Sequence, residues 1–315
     1  MFGFNNFDKP GKGVNKRDPN QPRTSIYFEL LGRKLWDLCK VNFLYILLAI
    51  PTFIVTMLIV GVATSRFTDA VAPVFTEILD LGSADASNSQ LSTYLLGVDL
   101  AIRGIFAGLF AMFLGLGPVT AGITYILRNY GREEHAWLWS DTWRNIKSNF
   151  KQSILLWIID LAVFFVLLVA LDFYGRTGQA WGTVAFYMIL CVSLLYLMMH
   201  IYVYQIMITF ELPFKNVLKN SFIMALMTAP KTLLMLVILA VIHIGLPVLL
   251  ITINNSWLLI IFILLEIIFL PAASMFTTNF FIYNTVEKYI KQALEQAENK
   301  DTDGSGEEET ENPEQ

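Results

Sequence analysis

The chain is 315 residues long, 55 % hydrophobic and only 15 % charged, against about a quarter charged in an ordinary soluble domain. Apolar runs of about 20 residues recur along it, each long enough to cross roughly 30 Å of hydrocarbon, which excludes an ordinary soluble enzyme. The net charge of −4 averages a basic front, with eight Lys/Arg in residues 1–40, and an acidic end, with nine carboxylates in 295–315; nothing in that distribution suggests nucleic-acid binding.

Residues 1–24, with Gly3, Pro10, Gly11, Gly13, Pro19 and Pro22, read as an irregular cytoplasmic segment. This opening is polar and basic, unlike the short basic stub and apolar core of a cleavable signal peptide, so the first span is expected to act as its own targeting signal. From Thr24 or Ser25, either of which would serve as an N-cap, an amphipathic helix leads in. It places Phe28, Leu31, Leu35 and Leu38 on one face and Glu29, Arg33, Lys34, Asp37 and Lys40 around the other. Apolar spans follow at about 41–64 and 104–127, separated by an outer loop at 65–103. A second lead-in helix, with Ser140 or Asp141 as caps, sets Trp139, Trp143, Ile146 and Phe150 on one face, with Arg144, Lys147, Ser148 and Lys151 facing away. Spans at 153–171 and 181–208 come next, then a third, less basic lead-in at 213–228 that carries Lys215 and Lys219 and stops before Pro230. The last spans, 232–253 and 257–281, flank a short turn at Asn254 and Asn255. From 293 to 315 the chain is rich in Glu, Asn, Thr and Gly, has little to bury and is expected to be disordered.

These elements predict an all-α fold, a polytopic membrane bundle of six transmembrane helices over residues 25–292 with cytoplasmic amphipathic elbow helices. Six crossings put both termini on one side. The N-terminal segment, 128–152, 211–231 and the region after 281 hold 8, 5, 3 and 3 Lys/Arg, against 2, 1 and 0 in the alternate loops. Cytoplasmic loops gather Lys and Arg, so this split places both termini in the cytoplasm of a plasma-membrane protein. Trp36, Trp137, Trp139 and Trp143 fall at the inner interface and Trp181 and Trp257 at the outer one, where amphipathic rings settle. An apolar stripe opposite Lys/Arg suits a helix lying in the headgroup plane. The row Trp139, Trp143, Arg144, Lys147, Phe150 and Lys151 therefore reads either as an anchor on the lipid bilayer or as a docking surface for a partner.

Sequence signatures of catalysis are missing: there is no G-x-x-x-x-G-K-[ST], H-E-x-x-H, C-x-x-C or G-x-S-x-G. His135, His200 and His243 are far apart in sequence, and Cys39 and Cys191 build no framework, so neither a metal nor a cofactor is expected. Glu133, Glu134 and His135 read as a solvated face of an inner loop. An ionisable side chain inside a bilayer is costly, which makes Asp160, His243 and Glu266 candidates for a substrate or ion pathway. His243 and Glu266 lie at nearly equal separations from the Asn254–Asn255 turn, roughly 17 Å along each helix. Equal depth on antiparallel neighbours predicts a hydrogen bond or ion pair, serving as a proton or cation site or as interhelical glue worth on the order of 1 kcal/mol. Asp160, inside the third span, is expected to face the bundle interior. No Lys or Arg stands in the fourth to sixth spans, leaving His200, Tyr202, Tyr204 or water as its partner.

Pro51, Pro118, Pro247 and Pro271 lie within spans, and each frees a carbonyl that must find a new partner or line a cavity. Pro118 and Pro271, flanked by small residues, are the helix-kink candidates; Gly104, Gly108, Ala111 and Gly115 add a small-residue stripe. Such breaks serve tight packing or a transporter site.

The run Leu114-Gly115-Leu116-Gly117-Pro118-Val119-Thr120-Ala121-Gly122, continuing through Arg128 and Gly131-Arg132-Glu133-Glu134 to the stretch from Trp143 to Gln152, resembles the YesL family of integral membrane proteins of Gram-positive bacteria. Lys9-Pro10-Gly11-Lys12-Gly13-Val14 and the stretch from Phe28 to Pro51 are similar to it too. That family carries a domain of unknown function, and its members are often encoded beside carbohydrate ABC importers. The resemblance implies a non-enzymatic accessory or regulatory partner of a carbohydrate uptake system, docked on ABC permease subunits through the elbows, with self-association as a further option. The residues keep a second reading open: an autonomous small-solute transporter or channel built on the kinked second and sixth spans with Asp160, His200, His243 and Glu266. A membrane enzyme using carboxylates outside any motif is a third.

Overall fold

The computed structural model describes residues 21–78, 89–253 and 256–307, and every regular element among them is helical. Helix α1 (Arg23–Arg33) turns at Lys34 into α2 (Leu35–Ile78). Helices α3 (Ser89–Phe113) and α4 (Pro118–Gly131) form a pair bent by 50°. Helix α5 (Leu138–Ser148) turns at Asn149 into α6 (Phe150–Arg176), and α7 (Ala180–Thr209) follows. Helix α8 (Phe214–Met227) turns at Thr228 into α9 (Ala229–Ala240), which continues through a π-helical turn, Val241–Gly245, into α10 (Leu246–Thr252). Helices α11 (Ser256–Ile268) and α12 (Leu270–Glu307) form a second pair, bent by 59°.

Four helical stretches are long and apolar enough to cross a membrane: Leu35–Val62, α6, α7 and Ala229–Leu250; counting each bent pair as one span raises this to six. Leu58, Val166, Met188, Val237 and Ile263 all point outward and stay exposed. So broad an apolar surface is stable only against lipid, and the chain is a membrane protein with transmembrane helices. Helix α4 sits at the centre, with 12 of its 14 residues buried. Leu116, Ile123 and Leu127 pack with Leu38, Val41 and Phe276 of α2 and α12, while Ala121 joins a second cluster around Tyr202, Val203 and Ile206 of α7.

The short helices α1, α5 and α8 each end in one residue with nearly the same backbone turn: Lys34 (φ −99°, ψ 6°), Asn149 (−100°, 8°) and Thr228 (−115°, 27°). The break at Lys34 shifts the helical register, so the lead-in expected as one helix is two. Leu30 and Leu38 are buried, whereas Phe28 and Leu35, expected on the same apolar face as Leu38, are exposed. Pro22, not Thr24 or Ser25, holds the N-cap of α1. The N-cap of α5 is Trp137, and the carboxylate of Asp141 reaches back to accept its N–H at 2.8 Å.

The face of α5 also differs from the expected stripe. Asp141, Thr142, Asn145 and Ile146 are buried, while Trp139, Trp143 and Phe150, expected to share the face of Ile146, are exposed beside Arg144, Lys147 and Lys151. Gly122 causes this: it admits α5 so close to α4 that a Cβ there would stand 2.8 Å from both Ile146 Cγ1 and the Thr142 carbonyl oxygen. Between the first two spans, the segment expected as a loop at 65–103 is largely helical, because α2 runs to Ile78 and α3 begins at Ser89; extending a formed helix costs far less than nucleating one. For the same reason α12 continues to Glu307, through part of the tail expected to be disordered from 293. Ala293, Leu294, Glu295, Gln296, Ala297 and Glu298 are strong helix formers. The irregular segment up to residue 20, the Asn254–Asn255 turn and residues 308–315 lie outside the described residues.

Candidate functional site

Both bent pairs break at a proline, and in both the freed backbone groups are taken up by side chains. Between α3 and α4, Gly115 (φ 83°) and Gly117 (φ 62°) adopt left-handed conformations that other residues avoid. The Leu116 N–H donates to Thr120 Oγ1 at 2.7 Å and the Gly117 N–H to Tyr204 Oη at 3.2 Å. Pro118 then opens α4 at its first turn, where a missing N–H costs nothing.

Between α11 and α12, Pro271 cannot donate to the carbonyl four residues back, that of Ile267. Asn42 of α2, 0 % exposed, replaces that bond. Its Nδ2 donates to the Ile267 carbonyl at 2.7 Å, and its Oδ1 accepts the Ala272 N–H at 2.9 Å. One side chain thus satisfies a donor and an acceptor that the break would leave bare in an apolar medium.

Pro247 explains the π-helical turn. Its ring displaces the carbonyl of His243, four residues earlier, and the helix widens so that the Leu246 N–H reaches Val241. Single π-turns of this kind collect at functional sites. His243 Nδ1 stands 2.8 Å from Glu266 Oε1, and its Nε2 stands 2.8 Å from Ser274 Oγ. The pairing inferred from equal depth is present, with Ser274 as a third member. A neutral imidazole donating from Nδ1 to the carboxylate can accept the serine proton at Nε2, so the triad can move a proton with little motion of heavy atoms.

Asp160 is 0 % exposed. Its Oδ1 accepts a 2.6 Å hydrogen bond from Tyr196 and lies 2.7 Å from His200 Nε2. Of the expected partners, His200 is the one that meets it. Tyr204 is committed to Gly117, and Tyr202 to Thr228 and Thr232. Tyr196, one helical turn before His200, escapes sequence reasoning because a tyrosine in a long apolar run reads as membrane-compatible bulk.

These features meet on a cavity of about 710 Å³. His200, Tyr204, Thr120, His243, Glu266 and Pro271 all border it, as do Gly115 and Leu116 of the first break. Asp160 stands behind His200 rather than on the wall. The rest of the lining is chiefly aliphatic and aromatic, including Ile46, Ile50, Phe53, Leu109, Leu236 and Leu239. Two further wall residues, Gln205 and Asn279, were not picked out from the sequence, although an amide inside an apolar run is the signal that marks them. Among the described residues no three of His, Cys, Asp and Glu stand close enough to hold a metal ion.

The elbow residues are absent from the cavity wall. Trp139, Trp143, Phe150, Arg144, Lys147 and Lys151 face outward, with Lys147 Nζ 5.5 Å from the centre of the Trp143 ring and Arg144 paired to Asp141 at 2.9 Å. His135 is exposed and meets Trp137 edge-on, in keeping with a solvated loop.

Neither the curated proteins nor the solved structures include a match to this chain. A family model described as a protein of unknown function, DUF624, matches residues 100–171. That segment holds the first helix break, the central helix α4, the α5 elbow and Asp160, so the part of the chain that is similar to DUF624 supplies one wall of the cavity and its principal turn.

Proposed function

We propose that the chain is a non-enzymatic, multi-pass plasma-membrane protein that takes a small solute into this cavity and works as an autonomous transporter. The observation that carries the reading is convergence: both bent pairs, the π-turn and the His243–Glu266 pair border one space of about 710 Å³. Irregular backbone at membrane depth is tolerated where it is buried in protein or lines a cavity, and broken helices mark many transporter sites. With each bent pair counted as one span there are six crossings, and the surplus of Lys/Arg on one side supports two cytoplasmic termini. The mainly apolar wall favours a carrier of a partly apolar solute over a channel for hydrated ions.

The test is a thermal-stability screen of the purified chain in lipid nanodiscs against sugars, amino acids and amphipathic compounds, run beside Gly108→Trp/Met112→Trp, which places two indoles into the cavity from one face of α3. At least one class is expected to raise the melting temperature of the wild type and not of the variant. A flat response across all classes would discard this function.

A second reading is supported by a different observation, the outward row of Trp137, Trp139, Trp143 and Phe150 beside Arg144, Lys147 and Lys151. Such a row suits a protein partner as well as the headgroup plane. The DUF624 match spans the 114–152 part of the likeness to the YesL family, and that likeness implies an accessory of carbohydrate ABC import. Gentle extraction of the tagged chain from native membranes would then recover permease subunits in near-stoichiometric amounts, with loss of that recovery in Trp143→Ala/Lys147→Ala. Recovery of the chain alone would remove this reading.

A further inference from the structure

The cavity wall carries a selection rule in its polar atoms. Among the described residues no Lys or Arg borders the cavity, so a carboxylate, phosphate or sulfate entering it would meet no counter-charge at membrane depth, where an unpaired ion is costly. Among the described residues Glu266 is the one carboxylate on the wall, and His243 Nδ1 already holds it at 2.8 Å. A cationic solute would have to break that pair.

What stays open is of another kind. Gln205 is 2 % exposed and Asn279 5 % exposed, both on the wall. Neither Nε2 nor Oε1 of Gln205 has a hydrogen-bond partner among the described residues, nor has Oδ1 of Asn279 or Nδ1 of His200, and all four atoms lie just beneath the wall, shielded from the empty space. Asn279 Nδ2 is occupied, donating to the Met275 carbonyl at 2.7 Å. Buried polar side chains are nearly always paired, and a primary amide bare at both atoms demands an explanation. It presents two donors and an acceptor, which a hydroxyl or another amide satisfies and an ion does not. Around these atoms the wall is hydrocarbon, and the volume falls in the range of roughly 300–1,000 Å³ typical of sites for one drug-sized molecule.

Resting on the reading that the cavity takes a solute, we propose that the solute is an uncharged single-chain amphipath. Its hydroxyl- or amide-bearing head bonds to Gln205 and Asn279 as their amides turn out to meet it, and its hydrocarbon body lies against α2, α3 and α9. A two-chain phospholipid is excluded by both size and phosphate.

The experiment measures equilibrium binding to the full chain in phosphatidylcholine nanodiscs, with protein-free nanodiscs of the same lipid as the blank for bilayer partition. Four radiolabelled probes are compared: monododecanoylglycerol, dodecanoate, dodecyltrimethylammonium and glucose. The neutral amphipath is expected to bind best, and Gln205→Leu and Asn279→Leu each to weaken it about tenfold. Gln205→Leu is close in volume and removes two bare polar atoms, so its empty form is expected to melt no lower than the wild type, which separates lost binding from lost folding. Equal binding of the neutral amphipath by both leucine variants overturns the head-group assignment. Stronger binding of the anion, the cation or glucose overturns the solute class and leaves the cavity reading standing. Binding of no probe above the blank overturns both.

Discussion

Asn42 shows how much one residue can hold in a medium without water. It bridges the Ile267 carbonyl and the Ala272 N–H across the second break. In Asn42→Leu both groups are orphaned, each at a cost of about 1–3 kcal/mol. Thermal unfolding in nanodiscs should show a loss of about 2 kcal/mol or more, and an unchanged melting temperature would mean the break is satisfied by other means. Gly117 makes a second test. An alanine there would carry φ 62° and place its Cβ 2.9 Å from Trp157 Cβ, so Gly117→Ala should cost more than the roughly 1–2 kcal/mol of left-handed strain alone. The His243–Glu266 pair was legible in the sequence because two helices joined by a short turn share a depth scale. Asp160 was legible as a buried acid, and His200 as one of its partners. Asn42 was not, since the backbone it serves lies 225 residues away and nothing local marks that distance as short.

At the scale of the element, the three lead-in helices were visible as polar-apolar periodicity, but which residues of them turn in against the bundle was not. In a soluble protein an apolar stripe points to the core. In a membrane protein lipid accepts the same side chains, so Trp139, Trp143 and Phe150 can face outward while Asn145 and Thr142 turn in against α4. Small residues, not apolar ones, marked the true contact, and Gly122 is the one that matters. Gly122→Val should push α5 off α4. Hydrogen exchange of amides in Leu138–Ser148 is expected to accelerate at least about tenfold, with α6 unchanged, because stability is distributed in local units. Exchange unaltered in α5 would show that Asp141 and Asn149 suffice to hold the elbow in place.

For the whole molecule, the sequence made the number of apolar runs plain and the prolines made the breaks plausible. It did not show that the two breaks face one space, because that requires knowing how α2, α7 and α12 pack around α4. The sidedness expected from Lys/Arg counts has a direct test. In a chain lacking Cys39 and Cys191, Gln179→Cys should react with an impermeant maleimide on intact cells, and Thr310→Cys only after the membrane is opened. The reverse pattern would invert the topology.

The turn shared by Lys34, Asn149 and Thr228 has a mechanical meaning. Each is an elbow between a short helix and a long apolar one, and under the proposed six crossings all three would stand on one side of the membrane. A rigid angle transmits vertical displacement of the surface helix into tilt of the span beyond it. When the bilayer thins or thickens, α2, α6 and α9 would lean together, as struts on a common rim, and the cavity that α2 and α9 border would narrow or widen with the thickness of the surrounding lipid.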